Sequence, residues 1–222
     1  MGFPKTFFYS RPHPWHGLSV GDRCPEFVES YIEITPYDEI KYEVDKVTGY
    51  LRVDRPQITA SLPPALYGFV PRTYCGERVR ALTPEARVGD GDPLDICVIS
   101  DRPVTKTDII LSAKVIGGFQ MIDGDEADDK ILAIIEKDRV WGEISDISEL
   151  PKILVERLRH YFMTYKQLLG QENHIKVDVV YGREHAFKVI EAAIADYEEA
   201  FGKLMKAHRM SNSELISLVA AD

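Results

Sequence analysis

The chain has only three cysteines in 222 residues, Cys24, Cys75 and Cys97, and no two show C-x-x-C spacing. So sparse and odd a count argues against a disulfide framework and fits a reducing, cytoplasmic compartment. No apolar run is long enough to span a bilayer, and no basic-then-apolar secretory leader is readable at the N-terminus. Met1-Gly2-Phe3-Pro4-Lys5-Thr6 fits the loose myristoylation pattern, but no polybasic segment follows as a second anchor, so no membrane attachment is expected. Positive charge is also short: 27 Lys and Arg against 36 Asp and Glu give a formal net charge of −9. That balance argues against a nucleic-acid or acidic-membrane binder, yet leaves a phosphate ligand open, because bound metal inverts the local sign. G-x-x-x-x-G-K-[ST], G-x-S-x-G and H-E-x-x-H are all missing, which removes the P-loop, nucleophile-elbow and zinc-protease readings.

Acidic turns are what the chain does have. Asp90-Gly91-Asp92-Pro93-Leu94-Asp95 places three carboxylates within six residues and runs into the apolar segment Ile96-Cys97-Val98-Ile99. Gly91 allows a bend that turns Asp90 and Asp92 toward one point, and Pro93 stiffens it. Asp95 then stands at the mouth of a buried strand, a costly place for an unpaired carboxylate. Converging anions repel one another unless a cation is present, and an all-oxygen ligand set selects a hard ion, Mg²⁺ or Ca²⁺. The spacing fails an EF-hand, which needs an oxygen ligand at the fifth position, Gly at the sixth and Glu at the twelfth; Leu94, Asp95 and Asp101 stand there. A second acidic cluster runs from Asp123 through Asp128 to Lys130.

Along the chain, residues 1–27 read as an irregular Pro- and aromatic-rich arm, in which His13 and His16 are packing or surface residues. Residues 31–34 form a strand, and alternation over Ile40, Tyr42 and Val44, a turn, and Tyr50-Leu51-Arg52-Val53-Asp54 predict a hairpin. Residues 55–93 read as one long functional connection. Strands follow at 108–116, 130–136 and 175–181. Ile153, Leu154, Leu158, Tyr161, Phe162 and Tyr165 stripe one helix that starts at Pro151 and stops by Gly170. Phe187, Ile190, Ile194, Tyr197, Phe201 and Leu204 stripe a second. Ser211 and Glu214 form a capping box for a short helix in the tail, 207–222. No linker or repeat interrupts residues 1–222, so a single domain is expected. Its cations Lys41, Arg55, Lys130 and Lys166 and hydroxyl donors Tyr67 and Tyr165 suit a polyanionic phosphate.

The Asp90–Asp95 segment is similar to the D-[SGDN]-D-[PE]-[LIVMF]-D signature of family I soluble inorganic pyrophosphatases. Further segments keep that family's order: Ile32-Glu33-Ile34, Ile40-Lys41-Tyr42-Glu43, Val53-Asp54-Arg55, Tyr67-Gly68-Phe69, Asp123 with Asp128 and Lys130, and Tyr165-Lys166. The resemblance implies an α+β, mainly β fold: an OB-like closed five-stranded antiparallel barrel with two long flanking helices. It implies an inorganic diphosphatase using several Mg²⁺ ions per site to hydrolyse pyrophosphate. Asp90, Asp95, Asp123 and Asp128 are then metal ligands, and a water acidified to hydroxide between two metals is the nucleophile. Asp92 accepts its proton. Lys41, Arg55, Tyr67, Lys130, Tyr165 and Lys166 hold the phosphates, with Lys41, Arg55 and Tyr165 assisting the chemistry. Glu33 and Glu43 act through water. The resemblance further implies a homo-oligomer, a hexamer or a dimer. The chain departs from the family where Leu62-Pro63-Pro64 replaces an aromatic-Tyr-Pro run, where Leu66 replaces a common Asn, and where Gly124 replaces an acid. A calcium buffer would keep the acids without needing the Lys, Arg and Tyr set. A nucleoside triphosphatase lacks any nucleotide-binding feature here.

Overall fold

The two most apolar runs of the chain decide its architecture. Ile96-Cys97-Val98-Ile99 and Ile131-Leu132-Ala133-Ile134 have no polar face, the pattern of strands covered on both sides. In the computed structural model they form β6 (Asp95–Ile99) and β9 (Lys130–Ile135), which lie side by side and parallel, Asp95 opposite Lys130 and Ile99 opposite Ile134. One face of the pair, with Ile96, Val98, Ile131 and Ala133, shares a core with α4 (Arg183–Val219). The other, with Cys97, Ile99, Leu132 and Ile134, packs under α3 (Lys152–Thr164). The structure describes the backbone of residues 11–170 and 172–219 and the side chains up to residue 203. The Met1-to-Thr6 pattern lies outside the described residues.

Around that pair, β1 (Phe27–Ile34), β4 (Leu66–Phe69), β6, β9 and β7 (Ile109–Asp123) are hydrogen-bonded in this order, and β7 pairs back to β1 to close a five-stranded barrel. Closure removes the exposed edges that an open sheet would present. The barrel is mixed, which corrects the antiparallel expectation: period-two and apolar patterns report which faces are buried, not the direction of a distant partner strand. The hairpin β2 (Ile40–Val44) and β3 (Leu51–Pro56) stands apart as a two-stranded sheet with Lys41 opposite Arg55. Its turn is built by the Asp45 carboxylate, which accepts from the backbone N–H groups of Val47 (3.2 Å) and Thr48 (2.8 Å). On β7 hang β8 (Glu126–Ala127) and β10 (Ile175–Gly182), and β5 (Val88–Gly89) runs parallel to β8.

Three further expectations change. The arm is not wholly irregular, because α1 (Pro14–Gly17) makes one helical turn whose Trp15 is buried. The 55–93 connection contains barrel strand β4, helix α2 (Glu77–Ala81) and β5; four residues, Leu-Tyr-Gly-Phe, are too short for periodicity to reveal a strand. Finally α4 runs unbroken to Val219, so Ser211 starts no separate helix, and its side chain lies outside the described ones.

Candidate active site

Gly91 takes φ +74°, in the left-handed region, and the turn it makes lets the Asp90 carboxylate accept from the Asp92 backbone N–H at 2.9 Å. From there the chain enters β6, whose pairing places Asp95 between Phe69 of β4 and Lys130 of β9. The Lys130 ammonium lies 2.5 Å from Asp95 Oδ2 and is also ion-paired with Asp128. Tyr67 donates its hydroxyl to the same Asp95 oxygen. Lys130 is only 2% exposed, so these charges meet in a low-dielectric setting where each is strongly felt.

The electrostatics follow from that crowding. Burial, and then the charges of Asp128 and Asp95, push Asp90 up to about 9. Burial also raises Asp95, against the pull of Lys130. At Asp128 burial works upward too, but Lys130 and a hydrogen bond from Asp90 outweigh it and hold the carboxyl below its ordinary range. Three carboxylates thus share one internal cation and cannot all ionise, so the cluster has spare affinity for positive charge. Beside it, burial pushes Glu33 up to about 8, even though its carboxylate accepts from the Val44 N–H at 2.7 Å. Among the described residues no three His, Cys, Asp or Glu side chains close around a single point as they stand. The donor chemistry, all carboxylate oxygen and anion-rich, nevertheless fits a hard divalent cation.

Cations form a rim. Lys41 Nζ is 2.9 Å from Glu43 and 3.2 Å from Asp54, and Arg55 pairs with the same Asp54 oxygen at 2.5 Å. Lys166 Nζ is 2.5 Å from Asp123 Oδ2, and Tyr165 caps the C-terminus of α3, its ring stacked on Tyr161 at 5.2 Å. One cleft is lined by Lys41, Pro63, Tyr67 and Tyr165; another is lined by Glu33, Glu43, Lys46, Asp92 and Asp95. The arrangement pairs an acidic floor with a cationic rim, which suits a polyanion carried on a metal.

A sequence model of the family described as inorganic pyrophosphatase matches residues 30–198. This chain belongs to the inorganic pyrophosphatase family. It is 45% identical over 199 residues to the inorganic pyrophosphatase of Chlamydia caviae, covering 85% of this chain and 92% of that one. It is 35% identical to soluble inorganic pyrophosphatase 1 of Arabidopsis thaliana, covering 84% and 81%. Its fold is similar to the crystal structure of the Thermus thermophilus inorganic pyrophosphatase, with TM-score 0.72, 31% identity, and 84% and 99% coverage. The Helicobacter pylori inorganic pyrophosphatase gives TM-score 0.69 at 34% identity, with 82% and 98% coverage. The resemblance to family I is thereby borne out, and the chain is an enzyme of that family.

Within this family member the acidic floor comprises Asp90, Asp95 and Asp128 with Lys130 and Tyr67. The Asp123 carboxylate is held by Lys166 on the rim. Asp92 faces the hairpin instead, ion-paired with Lys46. Pro63 is buried in the wall shared by Tyr67 and Tyr165. Gly124, at φ +64°, makes the tight turn between β7 and β8, a conformation that glycine adopts without cost. Leu66 is 2% exposed within the core. Two neighbours escaped the sequence reading. Asp54 bridges Lys41 and Arg55, and its place between Val53 and Arg55 was the available signal. Lys46 reaches Asp92 from the hairpin turn, for which no local pattern exists. His16 meets Tyr197 Oη at 2.9 Å and stacks on Trp15, a packing role as expected.

Proposed function

We propose that this chain hydrolyses inorganic pyrophosphate to two orthophosphates, the reaction that the names of its relatives indicate, and that it does so with Mg²⁺. The observation that carries the reading is the half-buried cluster of Asp90, Asp95 and Asp128 around the buried Lys130, beneath a rim of Lys41, Arg55 and Lys166. Asp90, Asp95, Asp123 and Asp128 would hold several Mg²⁺ ions. When bound, these supply acidification of the attacking water and charge neutralisation on the phosphates. The water oxygen bonds to one phosphorus while the bridging P–O bond breaks, and Asp92 takes the proton released by the water. Lys41, Arg55, Tyr67, Lys130, Tyr165 and Lys166 bind the phosphoryl oxygens and offset charge on the departing phosphate. Glu33 and Glu43 act through hydrogen-bonded water at the edge of the cleft. A homo-oligomer, hexameric or dimeric, working in the cytoplasm completes the proposal, and light scattering after size exclusion tests the assembly. No helix among the described residues is long and apolar enough to cross a membrane.

Phosphate release from pyrophosphate, followed against Mg²⁺ concentration, tests both the reaction and the division of roles. Asp95→Asn removes a ligand charge, so its loss is partly recovered at high Mg²⁺. Asp92→Asn leaves the other acids to hold metal, so its loss falls on kcat, roughly 10²–10⁴-fold, and metal does not rescue it. The reverse pattern would mean the roles belong to the other residue. No phosphate release from the unaltered chain ends the reading altogether.

A further inference from the structure

Residues 74–89 touch both acidic segments and α4. Tyr74 N–H donates to Ala193 O of α4 at 2.9 Å, and Asp196 of α4, only 4% exposed, receives the start of α2. Its carboxylate accepts from the backbone N–H groups of Gly76 (3.1 Å), Arg78 (2.9 Å) and Val79 (3.2 Å), and from the Arg78 guanidinium at 2.9 Å. The first acidic turn is pinned next. Cys75 N–H donates to Asp92 O at 2.8 Å and Gly91 N–H to Cys75 O at 3.1 Å. At the far end β5 pairs with β8, Arg87 N–H donates to Asp125 O at 2.8 Å, and Gln120 of β7 donates to Leu82 O at 2.9 Å. Gly89 lies so close to this segment that a Cβ there would be 2.2 Å from Cys75 O.

We propose that residues 74–89 are a brace that sets the distance between the two acidic segments, and that Asp196 is the positioning residue that seats the brace on α4. The inference rests on the Mg²⁺-dependent reading above. A buried carboxylate with four N–H partners fixes the start of a segment whose far end is held by β5–β8 pairing and by Gln120, and leaving several buried donors without it shifts that start. Such a shift reaches Gly91 and Asp92 through Cys75, and Asp125 through Arg87. Asp196 acts through the start of α2, to which it is bonded, so its effect appears as altered metal affinity, and a displaced Asp92 adds a fall in kcat.

The test is Mg²⁺ titration of the purified full chain by calorimetry without substrate, beside turnover of pyrophosphate across Mg²⁺ concentrations. Asp196→Asn is expected to weaken calorimetric Mg²⁺ affinity at least about fivefold, the lower end of coupling between connected sites. The Mg²⁺ needed for half-maximal rate should rise in parallel. A variant with lowered thermal stability but unchanged Mg²⁺ affinity would show that Asp196 is only a helix-packing residue and overturn the proposal. If Asp196→Asn does not fold, Gln120→Leu loosens the brace at its other end, and unchanged Mg²⁺ affinity there overturns it equally. An unaltered chain that fails to release phosphate refutes the function instead, which separates the two failures.

Discussion

Lys130→Met isolates the charge that holds the acidic floor together. The methionine keeps an unbranched stem of similar length in a site that is 2% exposed, so packing changes little. What disappears is the ammonium 2.5 Å from Asp95 and paired with Asp128. Removing one partner of a buried ion pair costs about 3–5 kcal/mol, because the remaining charges are left uncompensated. For a chain of this length each kcal/mol moves Tm by about 2–4 °C, so a fall of about 6–20 °C is expected in chelator. Saturating Mg²⁺ should narrow the gap, since a ligand at 100 times its Kd contributes about 2.7 kcal/mol and the variant's floor is the more anionic one. Lower pH should narrow it as well. Without Lys130 the folded-state values of Asp95 and Asp128 rise, so the penalty is present at high pH and fades as pH falls toward the ordinary carboxylate range. Differential scanning calorimetry with chelator, with Mg²⁺, and across pH measures all three effects. A variant that melts within about 2 °C of the unaltered chain in chelator, or whose deficit ignores Mg²⁺, would refute the view that Lys130 is the internal counter-ion of this site.

Tyr165→Phe keeps the ring stacked on Tyr161 and removes only the hydroxyl; with Pro63 offering none in the same wall, kcat/KM should fall by an amount worth about 1 kcal/mol or more. Unchanged steady-state kinetics would leave Tyr165 a packing residue. Ca²⁺ takes more ligands in looser geometry than Mg²⁺, so it should bind the acidic floor, support little turnover and inhibit the Mg²⁺ reaction; equal rates with the two ions would contradict this. Glu33 titrates at about 8 in the folded chain against 4.5 ordinarily, so its share of stability is full below about pH 4.5 and is lost as pH rises through about 8. Glu33→Gln keeps an acceptor for the Val44 N–H and should flatten the decline of metal-free urea midpoints over that window; an unchanged slope would show that another group causes it.

The chemistry of this protein was written locally, and its geometry was not. Asp90-Gly91-Asp92-Pro93-Leu94-Asp95 reads from residue types alone as a bend that wants positive charge, because three carboxylates within six residues repel one another wherever the bend lies. The hairpin at 40–56 and the stripe of α3 were legible for a similar reason: turn chemistry and periodicity act between near neighbours. Asp54 shared between Lys41 and Arg55, and Lys46 against Asp92, depended on how the hairpin leans on the barrel. So did the burial of Lys130, a residue type that sequence places at the surface. The parallel direction of β6 and β9 and the insertion of β4 into the barrel arise from pairing between strands distant in the chain. Their short apolar sequences say that they are covered, but not by which partner. Residue types therefore determined which charges and donors the site contains. Only the closed barrel decided which carboxylate meets Lys130, which meets Lys166 and which faces the hairpin, because those distances are set by strand register and not by position along the chain.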